Sequence, residues 1–293
     1  MEKMRIAPYR VQTVKATMVS EIKRAANYMD CKKLWEKGYT GKGIAVAVLD
    51  TGCDMKHDYL KDNLLHGINF MPKNATDIFD VTDRNGHGTH VAGIIKSVAP
   101  DVKILPIKVL GDYGNGSYDA IVQGIYFAIE QKVDIINMSL GGGLDYKPLH
   151  QAIKDAVKAD ISVVVASGNE GDALGYTDEI CFPAFYEEVI EVGAIDFLDN
   201  IADFSNSNIQ LDVCSYGVDI FSSYYDNQYA KCSGTSQAAP HVSGALCLLK
   251  EQFMKEQNRV PSEQELFEVL KDNLKVIPDE DTRLQGNGKV KLK

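Results

Sequence analysis

Gly43-Ile44-Ala45-Val46-Ala47-Val48-Leu49-Asp50-Thr51-Gly52 sets six apolar residues between glycines and ends on a carboxylate. Such a run predicts a strand buried on both faces, and therefore a parallel sheet. Asp50 then lies at the carboxyl end of that strand, where open α/β sheets build their sites. Downstream the pattern alternates in the doubly wound manner. Strands are expected at 102–110, 133–138, 161–166 and 189–194, and helices at 117–131, 149–159 and, on the surface, 263–274. The last residues are polar and read as peripheral, and Asp77 to Arg84 reads as a solvated acidic loop.

Two further stretches carry chemistry. Asn85-Gly86-His87-Gly88-Thr89-His90-Val91-Ala92-Gly93 places a glycine-flanked histidine at the start of a small-residue helix. Gly234-Thr235-Ser236-Gln237-Ala238-Ala239-Pro240-His241 does the same for a serine, with Thr235-Ser236 expected to cap a buried helix running on through Val242 to Leu249. A hydroxyl there sits beside free backbone N–H donors, which suits attack on a carbonyl and stabilisation of an oxyanion. Singly, these are a capping aspartate, a core histidine and a capping serine. Together, Asp50, His87 and Ser236, each at the mouth of a buried element, follow the chain order of one convergent serine triad.

From Trp35 to about Lys250 the chain resembles the subtilisin-like serine proteases, the subtilases. Asp50-Thr51-Gly52, His87-Gly88-Thr89-His90 and Gly234-Thr235-Ser236 match the three catalytic blocks. Ala166-Ser167-Gly168-Asn169-Glu170-Gly171 is similar to the segment that carries the oxyanion-hole asparagine, here Asn169. Gln237 departs from the methionine usual after the serine. The resemblance implies an α/β, three-layer fold with a central, mostly parallel sheet flanked by helices, and a serine endopeptidase acting through an acyl-enzyme.

It also implies substrate contacts. Ser139-Leu140-Gly141-Gly142 resembles one wall of the main specificity pocket, and Gly111 to Gly116 (with Gly114 and Gly116) the edge that pairs with substrate backbone. Tyr118, Ile121 and Leu140 would frame a subsite for an upstream apolar residue, although plain packing explains them too. Cys181 stands where relatives carry glycine or serine, so its thiol would make the pocket shallower. Glu170, Asp172, Asp178 and Glu179 could favour a basic residue, or be no more than a solvated loop.

Composition fits one enzyme domain: 293 residues, 45% hydrophobic and 25% charged. A net charge of −10 argues against nucleic acid. No segment has the length of a membrane span. Six cysteines invite a disulfide framework, but the opening Met-Glu-Lys-Met-Arg has no apolar signal region. Cys53 and Cys247 read as buried small hydrophobes in a reducing, cytoplasmic setting.

No metal ligand set or cofactor is expected. The calcium loop of many subtilases interrupts the histidine helix, whereas here four residues join Ala92-Gly93 to Val98-Ala99-Pro100. Those are too few to ligate calcium and continue a helix. The aspartate that would complete that site is replaced by Tyr59. A weaker cation site near Ala184, Tyr186, Val189 and Asp212 is left open.

The chain divides into an extension, 1–33, and a peptidase domain, 34–293. Little more than thirty residues precede Trp35, too few for an independent prodomain. Ile6-Ala7-Pro8-Tyr9 resembles the short inhibitory extension of the intracellular subtilisins; the alternative is a strand that merely packs. That subgroup implies a homodimer, which no feature of the sequence tests. The partners expected are polypeptide substrates and the chain's own N-terminal segment, with no nucleic acid and no membrane. Two rival functions share the motifs: a cytoplasmic protease dedicated to one leader or precursor peptide, and a non-catalytic peptide-binding scaffold.

Overall fold

The apolar run at 44–49 alternates between two cores, which is why it could carry no polar face. Val46 and Val48 belong to one buried cluster, and Ala47 and Leu49 to the other. The computed structural model describes residues 3–6, 10–14, 21–71 and 77–293. In chain order its elements are β1 (Met4–Arg5), β2 (Arg10–Val14), α1 (Arg24–Tyr28), α2 (Cys31–Glu36), β3 (Ala45–Asp50), β4 (Ile68–Asn69), α3 (His87–Val98), β5 (Lys103–Lys108), β6 (Asn115–Gly116), α4 (Tyr118–Glu130) and β7 (Ile135–Met138). There follow α5 (Lys147–Lys158), β8 (Ser162–Ala166), β9 (Ile190–Ile195), β10 (Val213–Tyr216), β11 (Ile220–Tyr224), β12 (Gln228–Ser233), α6 (Thr235–Gln257), α7 (Glu263–Asp272), β13 (Leu274–Lys275), α8 (Thr282–Gln285) and β14 (Lys289–Val290).

Among the described residues the main sheet has nine strands in the order β13-β14-β10-β9-β8-β7-β3-β5-β4. All its pairs are parallel except β13 with β14. Helices α3, α6 and α7 cover one face, and α4 and α5 the other, so the architecture is three-layered and α/β as expected. The strand order reverses at β3, which has β5 on one side and β7 on the other. A crevice opens beyond the carboxyl ends of strands at such a switch point. Asp50 ends β3, and Ser139 follows β7 directly.

Helix α6 is buried from Thr235 to Glu251, longer than its apolar stretch suggested. Its N-cap is Gly234, in extended backbone, and no side chain caps it. Thr235 is instead the first helical residue. The expectation of a Thr-Ser cap is corrected, because the Thr235 hydroxyl reaches sideways to the oxygens of Gly168 and Asn169.

The chain's last residues are not peripheral. β14 pairs with β10 in the main sheet, and Leu292 is fully buried. The polar spelling of that segment hid a short strand, between β13 and β10, whose alternate residues Val290 and Leu292 are buried.

Candidate active site

His87 begins α3 after Gly86, whose backbone is left-handed (φ 98°). A Cβ on Gly86 would lie 2.4 Å from the ring of Tyr224, so this entry requires glycine. His87 Nδ1 lies 2.8 and 2.9 Å from the two carboxylate oxygens of Asp50, and both residues are fully buried. A carboxylate can only accept here, so Nδ1 carries the proton and Nε2 is the basic nitrogen. Asp50 also accepts the N–H of Thr51 (2.7 Å), while its carbonyl takes those of Val109 and Leu110.

A second buried carboxylate organises this turn. Asp83 accepts the Thr51 hydroxyl (2.9 Å), the N–H groups of Asn85 (3.0 Å), Gly86 (2.8 Å) and Thr89 (2.9 Å), and the Thr89 hydroxyl (2.7 Å). The Thr51 hydroxyl in turn accepts from Gly88 N–H at 3.0 Å. The reading of 77–84 as a solvated loop is therefore wrong at Asp83, which is 3% exposed. Its signal was available, as an aspartate spaced to accept the N–H groups of an incoming helix. Three residues beyond His87, His90 has a different task. Burial lowers it to about 3, so it stays neutral, and its Nε2 faces the carbonyls of Ile220 and Ala230 at 3.1 and 3.2 Å.

Ser236 lies in the first turn of α6, its Oγ donating to the Ser139 carbonyl (3.3 Å) while Ser139 Oγ donates to the Ser236 carbonyl (2.9 Å). This reciprocal pair ties the start of α6 to the end of β7. Asn169 is oriented by Thr235, whose N–H and hydroxyl both donate to its Oδ1 (2.9 and 2.8 Å). The side-chain N–H₂ is thereby turned the other way, as an oxyanion donor must be. The 167–170 turn is clamped by Asn206, which is 2% exposed. Its amide donates to the Ser167 carbonyl (3.0 Å) and accepts the Glu170 N–H (2.7 Å). Nothing in the sequence marked Asn206, because its partners lie far away along the chain. Gln237 is fully buried, and its amide has no hydrogen-bond partner among the described residues.

Beside Ser236 opens a cavity of about 780 Å³, lined among others by Leu140, Gly141, Ala166, Glu179, Cys181 and Asn206. Cys181 stands in its wall, where a Cβ built on Gly141 would meet the thiol at 2.3 Å. Burial, with the charges of Glu170 and Glu191 adding to it, pushes that thiol up to about 12. It is therefore a neutral space-filler rather than a thiolate. Glu170 stands exposed at the mouth, with one oxygen on the Asn169 N–H (2.9 Å) and the other 3.9 Å from Arg5. Glu179 holds the N–H of Ser207 at 2.9 Å. Behind this wall, Asn208 donates to Glu191, which is fully buried.

The expected groove is filled by the chain itself. β1 pairs antiparallel with β6, Met4 opposite Gly116 and Arg5 opposite Asn115. On its other side Arg5 exchanges both backbone bonds with Gly141 (3.0 and 2.9 Å), and the Ile6 N–H donates to the Gly114 carbonyl (3.0 Å). Met4 is fully buried in the cluster that holds Tyr118, Ile121 and Leu140. These subsite residues are thus brought together, around a residue the motif reading had not included. Of the segment Ile6-Ala7-Pro8-Tyr9, residues Ala7, Pro8 and Tyr9 lie outside the described residues.

The model of the subtilase family (Peptidase S8) matches residues 41–288. This chain belongs to that family, and it is a subtilisin-like serine endopeptidase. It is 45% identical over 300 residues to the intracellular serine protease of Paenibacillus polymyxa, covering 99% of this chain and 91% of that one. Against the major intracellular serine protease of Bacillus subtilis (strain 168) the identity is 43% over 277 residues, with 91% and 86% covered. Subtilisin DY of Bacillus licheniformis is 40% identical over 230 residues, covering 75% and 81%. Among the described residues no helix is long and apolar enough to cross a membrane.

Proposed function

We propose that the chain is a cytoplasmic serine endopeptidase that cleaves polypeptides through Asp50, His87 and Ser236 and is held inactive by its own N-terminal segment. The observation that carries the reading is the buried Nδ1-to-carboxylate contact of His87 with Asp50, at the switch-point crevice where Ser236 lies in the first turn of α6.

In this reading His87 Nε2 takes the proton of Ser236 as Oγ bonds to the scissile carbonyl carbon. Asp50 holds the Nδ1–H tautomer and stabilises the imidazolium. The Ser236 backbone N–H and the Asn169 amide receive the oxyanion. On collapse the C–N bond breaks, His87 returns the proton to the leaving amine, and water releases the acyl group by the same steps reversed. The oriented donors and the dry Asp50–His87 pair are what make the serine a nucleophile at neutral pH.

For the N-terminal segment, the support is the occupancy of the groove by Met4, Arg5 and Ile6 in strand register. A substrate must displace them to reach Gly116 and Gly141. The extension comprises residues 1–33, but Ala25, Ala26 and Met29 are buried in the main core, so the displaceable part precedes them. The peptidase domain is 34–293.

We propose further that no calcium is required. Supporting this, α3 is a continuous helix from His87 to Val98, so the carbonyls that would ligate a cation in an inserted loop serve the helix. Asp212 already accepts the Glu191 N–H (2.8 Å).

The test is labelling of Ser236 by a fluorophosphonate together with peptide hydrolysis, in wild type and Ser236→Ala. Hydrolysis is expected to fall on the order of 10⁶-fold, the loss that subtilisin itself shows for its nucleophile, with folding unchanged. Residual activity of a few per cent would overturn the assignment.

A further inference from the structure

Four polar residues in a row, Ser205-Asn206-Ser207-Asn208, are buried, each 2% exposed or less. A buried polar run is costly unless its groups are hydrogen-bonded, so the partners of this one show what it is for. They divide between two parts of the site. On one side lies the turn that carries Asn169. The Asn206 N–H donates to the Gly168 carbonyl (3.2 Å), its amide donates to the Ser167 carbonyl (3.0 Å), and its Oδ1 accepts the Glu170 N–H (2.7 Å). On the other side lies the far wall of the specificity cavity. Glu179 donates its N–H to the Ser207 carbonyl (3.0 Å) and takes the Ser207 N–H on its carboxylate (2.9 Å). The amides of Asn206 and Asn208 both reach the Glu179 carbonyl, each at 3.4 Å.

Asn206 is bonded to both parts. Its side-chain nitrogen has two protons, and one serves the turn while the other serves the wall. It also lines the cavity itself, beside Gly168, Glu179 and Cys181. The approach to the turn is close: a Cβ on Gly168, whose φ is 116°, would fall 2.3 Å from the Asn206 amide nitrogen.

We propose that Asn206 is a positioning residue that couples filling of the specificity cavity to the oxyanion donor Asn169. This rests on the protease reading, with Asn169 as donor. Asn169 then has two supports. Thr235 orients its side chain, and Asn206 fixes the backbone at Ser167 and Gly168 before it and at Glu170 after it. The amide bonds to the wall are longer than those to the turn, so the wall is the side that yields. A substrate side chain that fills the cavity packs against Cys181 and Asn206, and so restricts the amide that sets the turn. Binding energy from a group remote from the scissile bond is thereby realised where the oxyanion forms, and it raises kcat more than it lowers KM.

The experiment uses the full chain with one inserted cleavage site after Met18, nicked so that the groove is free. Two peptide substrates differ only in alanine or phenylalanine before the scissile bond. Asn206→Ala should lower kcat on the phenylalanine peptide about 10- to 100-fold with KM within about threefold, since a small misplacement of a donor costs rate rather than binding. That is less than the loss of about 10²–10³ that subtilisin shows when its asparagine itself is removed. The advantage of phenylalanine over alanine in kcat should shrink to within about twofold. A second arm repeats the substitution in Asn169→Ala protein. There Asn206→Ala should cost no more than about twofold, because residues that act through one another are not additive. A role confined to folding would cost the same factor in both backgrounds. Asn206→Ser, which keeps a donor of shorter reach, takes its place in both arms if circular dichroism shows Asn206→Ala unfolded.

A kcat within about twofold of wild type, an equal loss in the two backgrounds, or an unchanged kcat ratio between the two peptides would each overturn the inference and leave the protease reading intact. If Asn169→Ala alone leaves kcat unchanged, the oxyanion assignment and the inference fall together. Failure of fluorophosphonate to label Ser236 in the unsubstituted protein would bring down the protease reading itself.

Discussion

Met4→Ala tests whether the segment in the groove restrains the enzyme. The Met4 side chain is fully buried beside Tyr118, Ile121 and Leu140, in a segment whose other described side chains, Lys3, Arg5 and Ile6, remain at least partly exposed. Truncating a buried methionine to alanine costs about 2–5 kcal/mol when the site cannot collapse, and a two-residue edge strand is free to move, so the lower part of that range applies. A loss of about 2–3 kcal/mol shifts the ratio of docked to open segment by about 30- to 140-fold. The effect falls on that equilibrium rather than on the main fold, because Met4 is joined to the body through a strand of two residues. If the closed state limits turnover, the initial rate of full-length protein on a fluorogenic peptide should rise by that factor, up to the rate of protein cut after Met18. Rates must be read before self-cleavage, with intact mass checked by mass spectrometry. Equal initial rates for wild type, Met4→Ala and the cut protein would refute the restraint.

Cys181→Gly should deepen the specificity cavity. It should raise kcat/KM for peptides with a large aromatic residue before the scissile bond, relative to a small one, by about 10- to 100-fold, as expected for a couple of heavy atoms in an apolar pocket; an unchanged ratio would show that the thiol does not bound the site. Glu191 is buried, which pushes its carboxyl well above the usual range, and Asp212 beside it is pushed up to about 7 by burial. Folding thus retains protons that the unfolded chain has lost, so this part of the stability is fully present below ordinary carboxylate values and is lost as pH rises towards the folded values. Urea midpoints should therefore fall as pH rises from ordinary carboxylate values, about 4, towards about 7, where Asp212 titrates in the folded chain, and Glu191→Gln, which keeps an acceptor for Asn208, should flatten the slope; a slope unaffected by the substitution would refute the assignment. EDTA against added calcium should leave the melting midpoint nearly unchanged, whereas a site filled at a hundred times its dissociation constant contributes roughly 2.7 kcal/mol and would move it by degrees.

What could be read from the sequence was local. The run at 44–49 is apolar at every position because both faces of β3 are covered, and that pattern alone implies a parallel sheet with helices on either side. Asp50, His87 and Ser236 were legible because each sits in a short glycine-bearing stretch whose backbone needs are spelled out in adjacent letters. The subtilase resemblance supplied Asn169 and the groove residues.

Tertiary structure alone decided the rest, wherever the partners are distant along the chain. Asn206 clamps the turn at 167–170 from a different loop. Lys289 and Val290 become sheet because β10 offers them an edge, not because of their own spelling. Asp83 is an aspartate and yet buried, because five donors from the turns around it replace water. The N-terminal segment divides the same way: resemblance at Ile6-Ala7-Pro8-Tyr9 pointed to the groove, but a strand that adds to an edge is held by backbone bonds common to all residues, so its register, and the second pairing with β12, came only from the edges of β6 and β12.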